Sequence, residues 1–217
     1  MQQQMNDHFY LDGTANGGKR ITGLAAIVPT DPTTGTLFNI DRAVAANAFF
    51  RSQAIDMNDG AFQTTPGTFT LRKNMDDMWI RCGRQRSGGK GTNFPDLILC
   101  TETFWRLYSE SMDIRGQRFT NTMSADAGFT SLEFNGATMI MDEDMPTDAG
   151  GDDQAFFINS NFLHLLYIKR ANFKLSKTNA AESQDAISKR LIWRGELVSR
   201  NPQKNGLLEG VKAVEPT

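Results

Sequence analysis

The stretch AISKRLIWRGELVSR, residues 186–200, alternates apolar and charged side chains. The apolar positions are Ile187, Leu191, Trp193 and Leu197, and the charged ones are Arg190, Arg194, Glu196 and Arg200. A period of two predicts a β-strand with one apolar and one charged face. A continuous strand over this stretch would be about 50 Å long, whereas a usual strand has about five or six residues. We therefore expect an arm that extends from the body of the protein.

Other segments predict further strands around this arm. PDLILC (95–100) has the composition of a buried strand. The segment TSLEFNGATMIMDED alternates on both sides of Asn135-Gly136, a dipeptide suited to a tight type I′ turn, so we predict a hairpin of 130–134 and 137–141. The remaining segments for which we predict short apolar strands or turns are ITGLAAIV (21–28), AFFIN (155–159) and FLHLLYIK (162–169).

Helical periodicity is clearest in residues 69–83. The apolar stripe there consists of Leu71, Met75, Met78, Trp79 and Cys82, with Thr68 as the expected cap. A second helix is predicted with Thr101 as its cap and Met112 as its last residue, and with Phe104, Leu107, Tyr108 and Met112 facing inward. Shorter helices are expected at residues 1–12 and after Asp41, the latter with Val44, Ala48 and Phe49 on one face.

Composition limits the class of protein. The chain has 217 residues, 39% hydrophobic and 22% charged, and a net charge of -2, which argues against a general nucleic-acid binder. It contains no apolar run of the ~18 residues that a membrane span needs, and it does not begin with a signal-peptide pattern. Two cysteines, Cys82 and Cys100, give no disulfide framework. We therefore expect a soluble cytosolic product of one large domain or two small ones.

The cluster GGKGT at 88–92 superficially resembles a phosphate-binding loop. Such a loop follows a strand and opens a helix, whereas here a helical pattern precedes the cluster and the strand at 95–100 follows it. The cluster therefore predicts a helix-to-strand connection. The basic residues around it and farther along the chain are expected in solvated loops or subunit contacts: Arg84, Arg86, Lys90, Arg115 and Arg118.

The acidic segment DEDMPTDAGGDD, 142–153, has only part of a calcium-loop pattern. Asp142 and Asp144 alternate, but Met145-Pro146 replaces the next ligand position. We expect a solvated loop whose charge could face a basic neighbour at an interface. A zinc site would need Cys82, Cys100, His8 and His164, which lack short spacing, and no nucleophile-elbow motif is present. We therefore predict no catalytic, cofactor-binding or metal residue, and no enzyme.

The order of these segments resembles the C-terminal two-thirds of tailed-phage major capsid proteins, whose Hong Kong 97-type fold is shared by encapsulin shells. The resemblance covers most of residues 16–212. It is carried, in order, by NGGKRITGLAAIVPTDPTTGTLFNIDRA, the helix at 69–83, PDLILCTETFWRLYSESM, AGFTSLEFNGATMIMDEDMP, QAFFINSNFLHLLYIKRANF and LIWRGELVSRNPQKNGLLEGVK. Family members begin with an extended arm, a projecting hairpin and a long spine helix, and this sequence begins near the end of that helix.

The resemblance implies an α+β fold with an axial mixed α/β domain and a peripheral domain bearing a long β-arm. The implied division is 1–39 for the end of the spine helix and a peripheral segment, 40–165 for the axial domain, and 166–217 for the β-arm and C-terminal return. It also implies a structural subunit without cofactors that forms hexamers and pentamers and encloses DNA. The candidate subunit-interface residues are Arg190, Arg194, Arg200, Asp142 and Asp144.

The implied location is the virion capsid, assembled in the host cytoplasm without a membrane. Scaffold, portal and decoration proteins are further candidate partners of such a subunit. Two alternatives remain open: an encapsulin-like compartment shell, and a small-molecule or metal-dependent enzyme that uses the acidic segment.

Overall fold

The computed structural model describes residues 2–18, 20–57, 70–83, 93–113, 132–176, 179–180 and 187–212. The α-helices are α1 (Gln2–Tyr10), α2 (Ala15–Gly18), α3 (Leu24–Ile27), α4 (Thr70–Gly83) and α5 (Glu102–Asp113). Short 3-10 helices occupy Ala45–Phe50, Lys169–Ala171 and Pro202–Lys204. The strands are β1 (Thr36–Leu37), β2 (Ile40–Asp41), β3 (Gln53–Asp56), β4 (Leu97–Cys100), β5 (Leu132–Phe134), β6 (Ala137–Met141), β7 (Asp153–Ile158), β8 (Leu163–Tyr167), β9 (Lys174–Leu175), β10 (Asn179–Ala180), β11 (Ile187–Ser188), β12 (Leu191–Ile192), β13 (Gly195–Ser199) and β14 (Gly206–Val211).

A six-stranded mixed sheet forms the body, in the order β3-β14-β7-β4-β6-β5. The pairs β14–β3 and β4–β6 are parallel, and the other pairs are antiparallel. β14 therefore lies between two strands that come much earlier in the chain. Its register with β7 shifts between Leu208 and Val211, where Gly210 has a φ of 73°.

The two long helices cover one face of this sheet, as their periodicity predicts. Met75, Met78 and Cys82 of α4 are buried against the sheet together with Phe104 and Tyr108 of α5. Thr101 occupies the predicted N-cap position of α5, where its backbone carbonyl accepts the first helical bond, from Trp105 N–H, at 3.1 Å, but its hydroxyl makes no capping hydrogen bond. Thr68, the expected cap of α4, lies outside the described residues.

The other face of the sheet packs against α1 and α3. The prediction of a strand or turn at 21–28 misses α3, because Leu24, Ile27 and Val28 are buried at a spacing that a single helical turn also satisfies. Gly23 permits this packing, since a Cβ there would lie 2.2 Å from the carbonyl oxygen of Leu11. The end of α1 and the start of α3 are therefore in backbone contact.

The predicted hairpin around Asn135-Gly136 is confirmed. β5 and β6 pair antiparallel with Phe134 opposite Ala137, and the two turn residues have φ values of 49° and 84°. Two positive φ angles are what a type I′ turn requires. This hairpin forms one edge of the six-stranded sheet.

The prediction of one continuous strand at 186–200 is wrong, because this stretch forms several short strands. The stretch forms β11, β12 and β13, which pair antiparallel with β10, β9 and β8 respectively. The pairing is interrupted because the chain between β8 and β9 is longer than the chain between β12 and β13, which lies opposite it. The extra residues include the 3-10 turn Lys169–Ala171. Hydrogen bonds of Arg194 bridge the break, from Ile168 N–H to its carbonyl and from its own N–H to the Ala171 carbonyl, both at 3.0 Å.

The paired segments of 163–176 and 179–180 with 187–199 are called the ribbon below. Its strands belong to sheets separate from the six-stranded one. If fully extended, the 187–199 side would span roughly 40 Å at ~3.3 Å per residue. The predicted long arm is thus an interrupted two-stranded ribbon.

The helix expected after Asp41 also differs from the prediction. It is the 3-10 helix Ala45–Phe50, and the carboxylate of Asp41 accepts the N–H of Ala43 before the helix starts. Phe50 is buried, whereas Val44 and Phe49 are exposed. The tighter 3-10 turn places a different face inward from the one that an α-helix would bury.

Candidate assembly surface

The ribbon exposes apolar side chains on both of its faces. Successive residues of a strand point to opposite faces, and the four residues after His164 are Leu165, Leu166, Tyr167 and Ile168. Their exposed fractions are 42%, 58%, 56% and 55%. A strand that packed only against its own domain would bury one of these faces, so the ribbon is incompletely covered in the isolated subunit.

The apolar surface continues along the outer part of the ribbon. Phe173, Leu175 and Leu191 are exposed, and Leu175 lies directly opposite Leu191 in the β9–β12 pair. Trp193 is half-buried, and the centroid of its ring lies 6.4 Å from that of Phe173. Trp193 also packs against the core cluster that includes Leu197.

Cations flank this apolar surface. The exposed basic residues of the described ribbon are Lys169, Arg170, Lys174, Lys189, Arg190 and Arg194. Its half-buried acid, Glu196, is turned toward α3 and accepts the N–H of Thr22 at 2.6 Å. The surface is therefore apolar and basic in the described residues.

The structure places the three candidate interface arginines on or beside this ribbon. Arg190 precedes β12, and its N–H donates to the Ser176 hydroxyl at 2.9 Å. Arg194 bridges the break in the ladder through its backbone, and Arg200 follows β13, where its N–H donates to the Phe162 carbonyl at 2.9 Å. In each case the backbone is fixed by the ladder and the side chain is exposed.

The two candidate acids, Asp142 and Asp144, bind α1 of their own subunit. The amide of Asn6 donates to Asp142 at 3.1 Å and to Asp144 at 3.2 Å, and the Tyr10 hydroxyl donates to Asp142 at 2.6 Å. Burial acts to raise the pKa of Asp142, but hydrogen bonds from Tyr10, Asn6 and the Asp144 N–H together lower it. Burial and the bond to Asp142 raise the pKa of the Tyr10 phenol. An ionised carboxylate thus fixes α1 to this loop.

The rest of the acidic segment stabilises its own turn. One oxygen of Asp148 accepts the N–H groups of Gly150 and Asp152 at 2.8 Å, and the other accepts Gly210 N–H at 3.2 Å. Asp152 forms an ion pair with Lys212 at 3.3 Å. The segment is exposed at about half of its positions and half-buried or buried at the others, so the expected solvated loop is solvated only in part.

The described residues contain no group of three or more His, Cys, Asp or Glu side chains that could hold a metal ion. Cys82 and Cys100 are both buried, and burial raises the pKa of each thiol to about 12, so both are protonated and unreactive. His164 is half-buried with its Nε2 atom unpartnered. Five basic residues that we predict in solvated loops or subunit contacts lie outside the described residues: Arg84, Arg86, Lys90, Arg115 and Arg118.

A cleft of about 460 Å³ lies between α1, α3 and the acidic segment. Tyr10, Val28 and Phe156 line it with mostly apolar surface, and Asp148 contributes a carboxylate that already accepts backbone N–H groups. Asp12 also lines the cleft, and its carboxylate accepts hydrogen bonds from the N–H and the hydroxyl of Thr14. In the part of the chain that the structure describes, no helix is long and apolar enough to cross a bilayer.

Sequence reasoning proposed the arginines as interface residues, which stays a prediction, and it did not indicate the extent of the apolar surface. The run FLHLLYIK contains adjacent apolar residues at Leu165 and Leu166, which no strand can place on one face. An unbroken apolar run followed by exposed cations was the available signal. It indicates a strand with apolar side chains on both faces.

Comparison with known proteins identifies the fold. No family model matches the chain, and no curated protein matches it. Among solved structures, the cyanophage A-1(L) capsid asymmetric unit matches with a TM-score of 0.61 and 14% identity over 97% of this chain. The holo-SrpI encapsulin complex from Synechococcus elongatus PCC 7942 matches with a TM-score of 0.60 and 12% identity over 98%.

This chain spans 66% of the length of the cyanophage chain and 62% of the encapsulin chain. Both neighbours have capsid folds of the Hong Kong 97 type. The chain therefore has the Hong Kong 97-type capsid fold, with mixed helix and sheet, as the resemblance of its sequence predicts.

Proposed function

We propose that the protein is a structural subunit of a closed, self-assembling shell. The observation that carries this proposal is the ribbon: apolar side chains exposed on both faces, flanked by cations, on a fold otherwise found in capsid and encapsulin chains. Exposed apolar surface of this extent marks a protein interface. A closed shell repeats each subunit contact many times, so individually weak contacts give a stable lattice.

We infer that the shell is a tailed-phage capsid of hexamers and pentamers that encloses DNA. In this arrangement Arg190, Arg194 and Arg200 contact neighbouring subunits, and the subunit needs neither catalysis nor a cofactor. The net charge of -2 suits a wall that confines DNA without binding it tightly. The location would be the virion, after assembly in the host cytoplasm, with scaffold, portal or decoration proteins as further partners.

An encapsulin-like compartment is the second candidate, because the encapsulin and capsid neighbours match equally well, with TM-scores of 0.60 and 0.61. The two candidates differ in what the shell contains. Particles that hold nuclease-protected DNA would support the phage capsid, and particles that hold a co-purified protein cargo would support the compartment.

The proposed domain division has 1–39 and 166–217 in the peripheral domain and 40–165 in the axial domain. β14 pairs with β3 and β7 in the six-stranded sheet, so we assign Gly206–Val211 to the axial domain as well. The ribbon is then the peripheral arm. Its base is attached to α3 through the bond from Thr22 N–H to Glu196.

The decisive test is assembly of the expressed chain, followed by sedimentation velocity and electron microscopy. We expect particles or capsomers from the native sequence and loss of assembly when Leu166→Ser and Tyr167→Ser are combined. The matched control is Ile80→Ser on α4, which removes an apolar side chain of similar exposure outside the ribbon. A native chain that stays monomeric at high concentration, or a ribbon variant that assembles normally, would contradict the proposal.

The alternative of a metal-dependent enzyme is tested separately by thermal unfolding with calcium or magnesium. A metal that binds the folded state would raise the melting temperature at millimolar concentration. We expect no increase, because Asp142 and Asp148 are engaged by hydrogen bonds within the subunit.

A further inference from the structure

A second exposed apolar surface lies far from the ribbon in sequence, at residues 43–49. Its exposed apolar residues are Ala43, Val44, Ala45, Ala46, Ala48 and Phe49. Val44 is 47% exposed and Phe49 is 59% exposed. Small side chains around one large ring leave a shallow apolar surface with little side-chain entropy to lose on binding.

This segment is held firmly by the residues beneath it. The guanidinium of Arg51 donates to the carbonyls of Arg42, Ala43 and Val44 at 2.8, 3.3 and 3.4 Å. The Gln203 amide donates to the Ala48 carbonyl at 3.0 Å. Buried Phe50 anchors the C-terminal end of the segment in the core.

The side-chain amide of Asn47 also donates to the Asp41 carbonyl at 2.7 Å. The segment is therefore preorganised, and its outward apolar side chains are not a consequence of a loosely packed loop. A preorganised surface loses little conformational freedom when it binds.

The charged groups beside this segment are two carboxylates and two guanidinium groups. Asp31 and Asp41 are exposed, and hydrogen bonds from Thr33 lower the pKa of Asp31. The two neighbouring arginines are directed at backbone carbonyls: Arg51 as described, and buried Arg42 toward Ala26 at 3.0 Å. Both guanidinium groups keep their charge, but backbone carbonyls hold them in place, so the exposed carboxylates of Asp31 and Asp41 are the groups best placed to meet cations of a partner.

We propose that segment 43–49 of one copy binds the ribbon of a second copy. Both surfaces are apolar, and the exposed carboxylates of Asp31 and Asp41 can pair with the exposed cations of the described ribbon. The contact is heterologous, because different surfaces of the two copies meet, and such contacts propagate from copy to copy until a ring closes. This inference rests on the proposed shell function and specifies which surfaces of the subunit join.

Two full-length variants that are each defective in one surface test the inference. The segment variant combines Val44→Ser with Phe49→Ser, and the ribbon variant combines Leu166→Ser with Tyr167→Ser. All four positions are exposed, so the monomer fold should persist, which circular dichroism verifies. Association is measured by sedimentation velocity, with Ile80→Ser as the control.

We expect the native chain and the control to assemble, and each variant alone to associate at least about tenfold more weakly, as loss of a central aromatic contact usually causes. An equimolar mixture should form a one-to-one complex, because it contains one intact segment and one intact ribbon. A segment variant that assembles alone, or a mixture that stays monomeric, would overturn this inference while leaving the shell function standing. A monomeric native chain would overturn both.

A cross-linking experiment gives an independent measurement of the same contact. Phe49→Cys and Tyr167→Cys are placed in separate copies, and the native cysteines Cys82 and Cys100 are buried. Under oxidation, the mixture should give more cross-linked dimer than either variant alone. Equal yields in all three samples would overturn the inference.

Discussion

Glu209 gives the sharpest quantitative prediction, because it is a carboxyl group buried inside the six-stranded sheet. It is only 8% exposed, and it lies directly opposite Asp56 in the parallel β14–β3 pair. Burial, followed by the nearby carboxylates Asp56 and Asp148, raises its pKa from 4.5 to about 7. The protonated form is therefore the one that the folded protein favours.

The sign of the pH dependence follows from this shift. A carboxyl group whose pKa is raised on folding stabilises the protein below its unfolded pKa and loses that contribution as the pH rises through its folded pKa. At about 1.4 kcal/mol per pKa unit, a shift from 4.5 to about 7 corresponds to roughly 3 kcal/mol. The free energy of unfolding should fall by up to that amount between pH 4.5 and about 8 through this group.

Glu209→Gln removes the titration while keeping the shape of the side chain. We expect this variant to match the native protein near pH 4.5 and to exceed its free energy of unfolding by about 2–3 kcal/mol at pH 8. Urea unfolding at both pH values measures the difference, on the background of Leu166→Ser and Tyr167→Ser so that assembly does not contribute. The control is Glu143→Gln, an exposed residue of the acidic segment. Equal pH dependence in the native and Glu209→Gln proteins would refute the reasoning.

Three further predictions concern the arm and the N-terminal helix. Trp193→Ala should lower the free energy of unfolding by ~2–3 kcal/mol, less than for a fully buried tryptophan because this one is half-buried, and an unchanged urea midpoint would contradict its role as anchor. Arg194→Glu should impair assembly in electron micrographs while leaving the melting temperature within a few degrees, and normal particles would count against the ribbon as an interface. Tyr10→Phe should cost about 1–2 kcal/mol by removing the bond to Asp142, as measured by urea unfolding at pH 7, and an undiminished stability would show that this bond does not hold α1 in place.

The parts of the fold that could be predicted from sequence are those set by local pattern. The stripe on α4 extends over several turns, and Asn135-Gly136 constrains its own backbone, so both predictions succeed. The prediction missed the short helix α3 because a single turn contains too few residues to distinguish a helical period from a strand. The family resemblance supplied the fold class through the order of the segments, which no single segment carries.

The candidate surface was only partly predictable, for the same physical reason. Charge alternation in the sequence predicts Arg190 and Arg194 on the charged face of a strand. It does not predict the break in the ribbon, which depends on extra residues in the opposite segment near Lys169–Ala171. The bonds that fix Asp142 to α1 join residues more than 130 positions apart in the chain. Local patterns cannot indicate such contacts, and the reading of Asp142 as a solvated interface residue therefore missed its bond to Tyr10.

The position of β14 bears on how the subunit comes to be made. Ribosomes deliver β3 and β7 well before Gly206–Val211, yet both strands need that last strand as their common partner. Until β14 has been synthesised, the backbone N–H and C=O groups of β3 and β7 that will pair with it have no partner strand. A copy whose synthesis has not reached Gly206–Val211 therefore cannot present a finished six-stranded sheet to another copy.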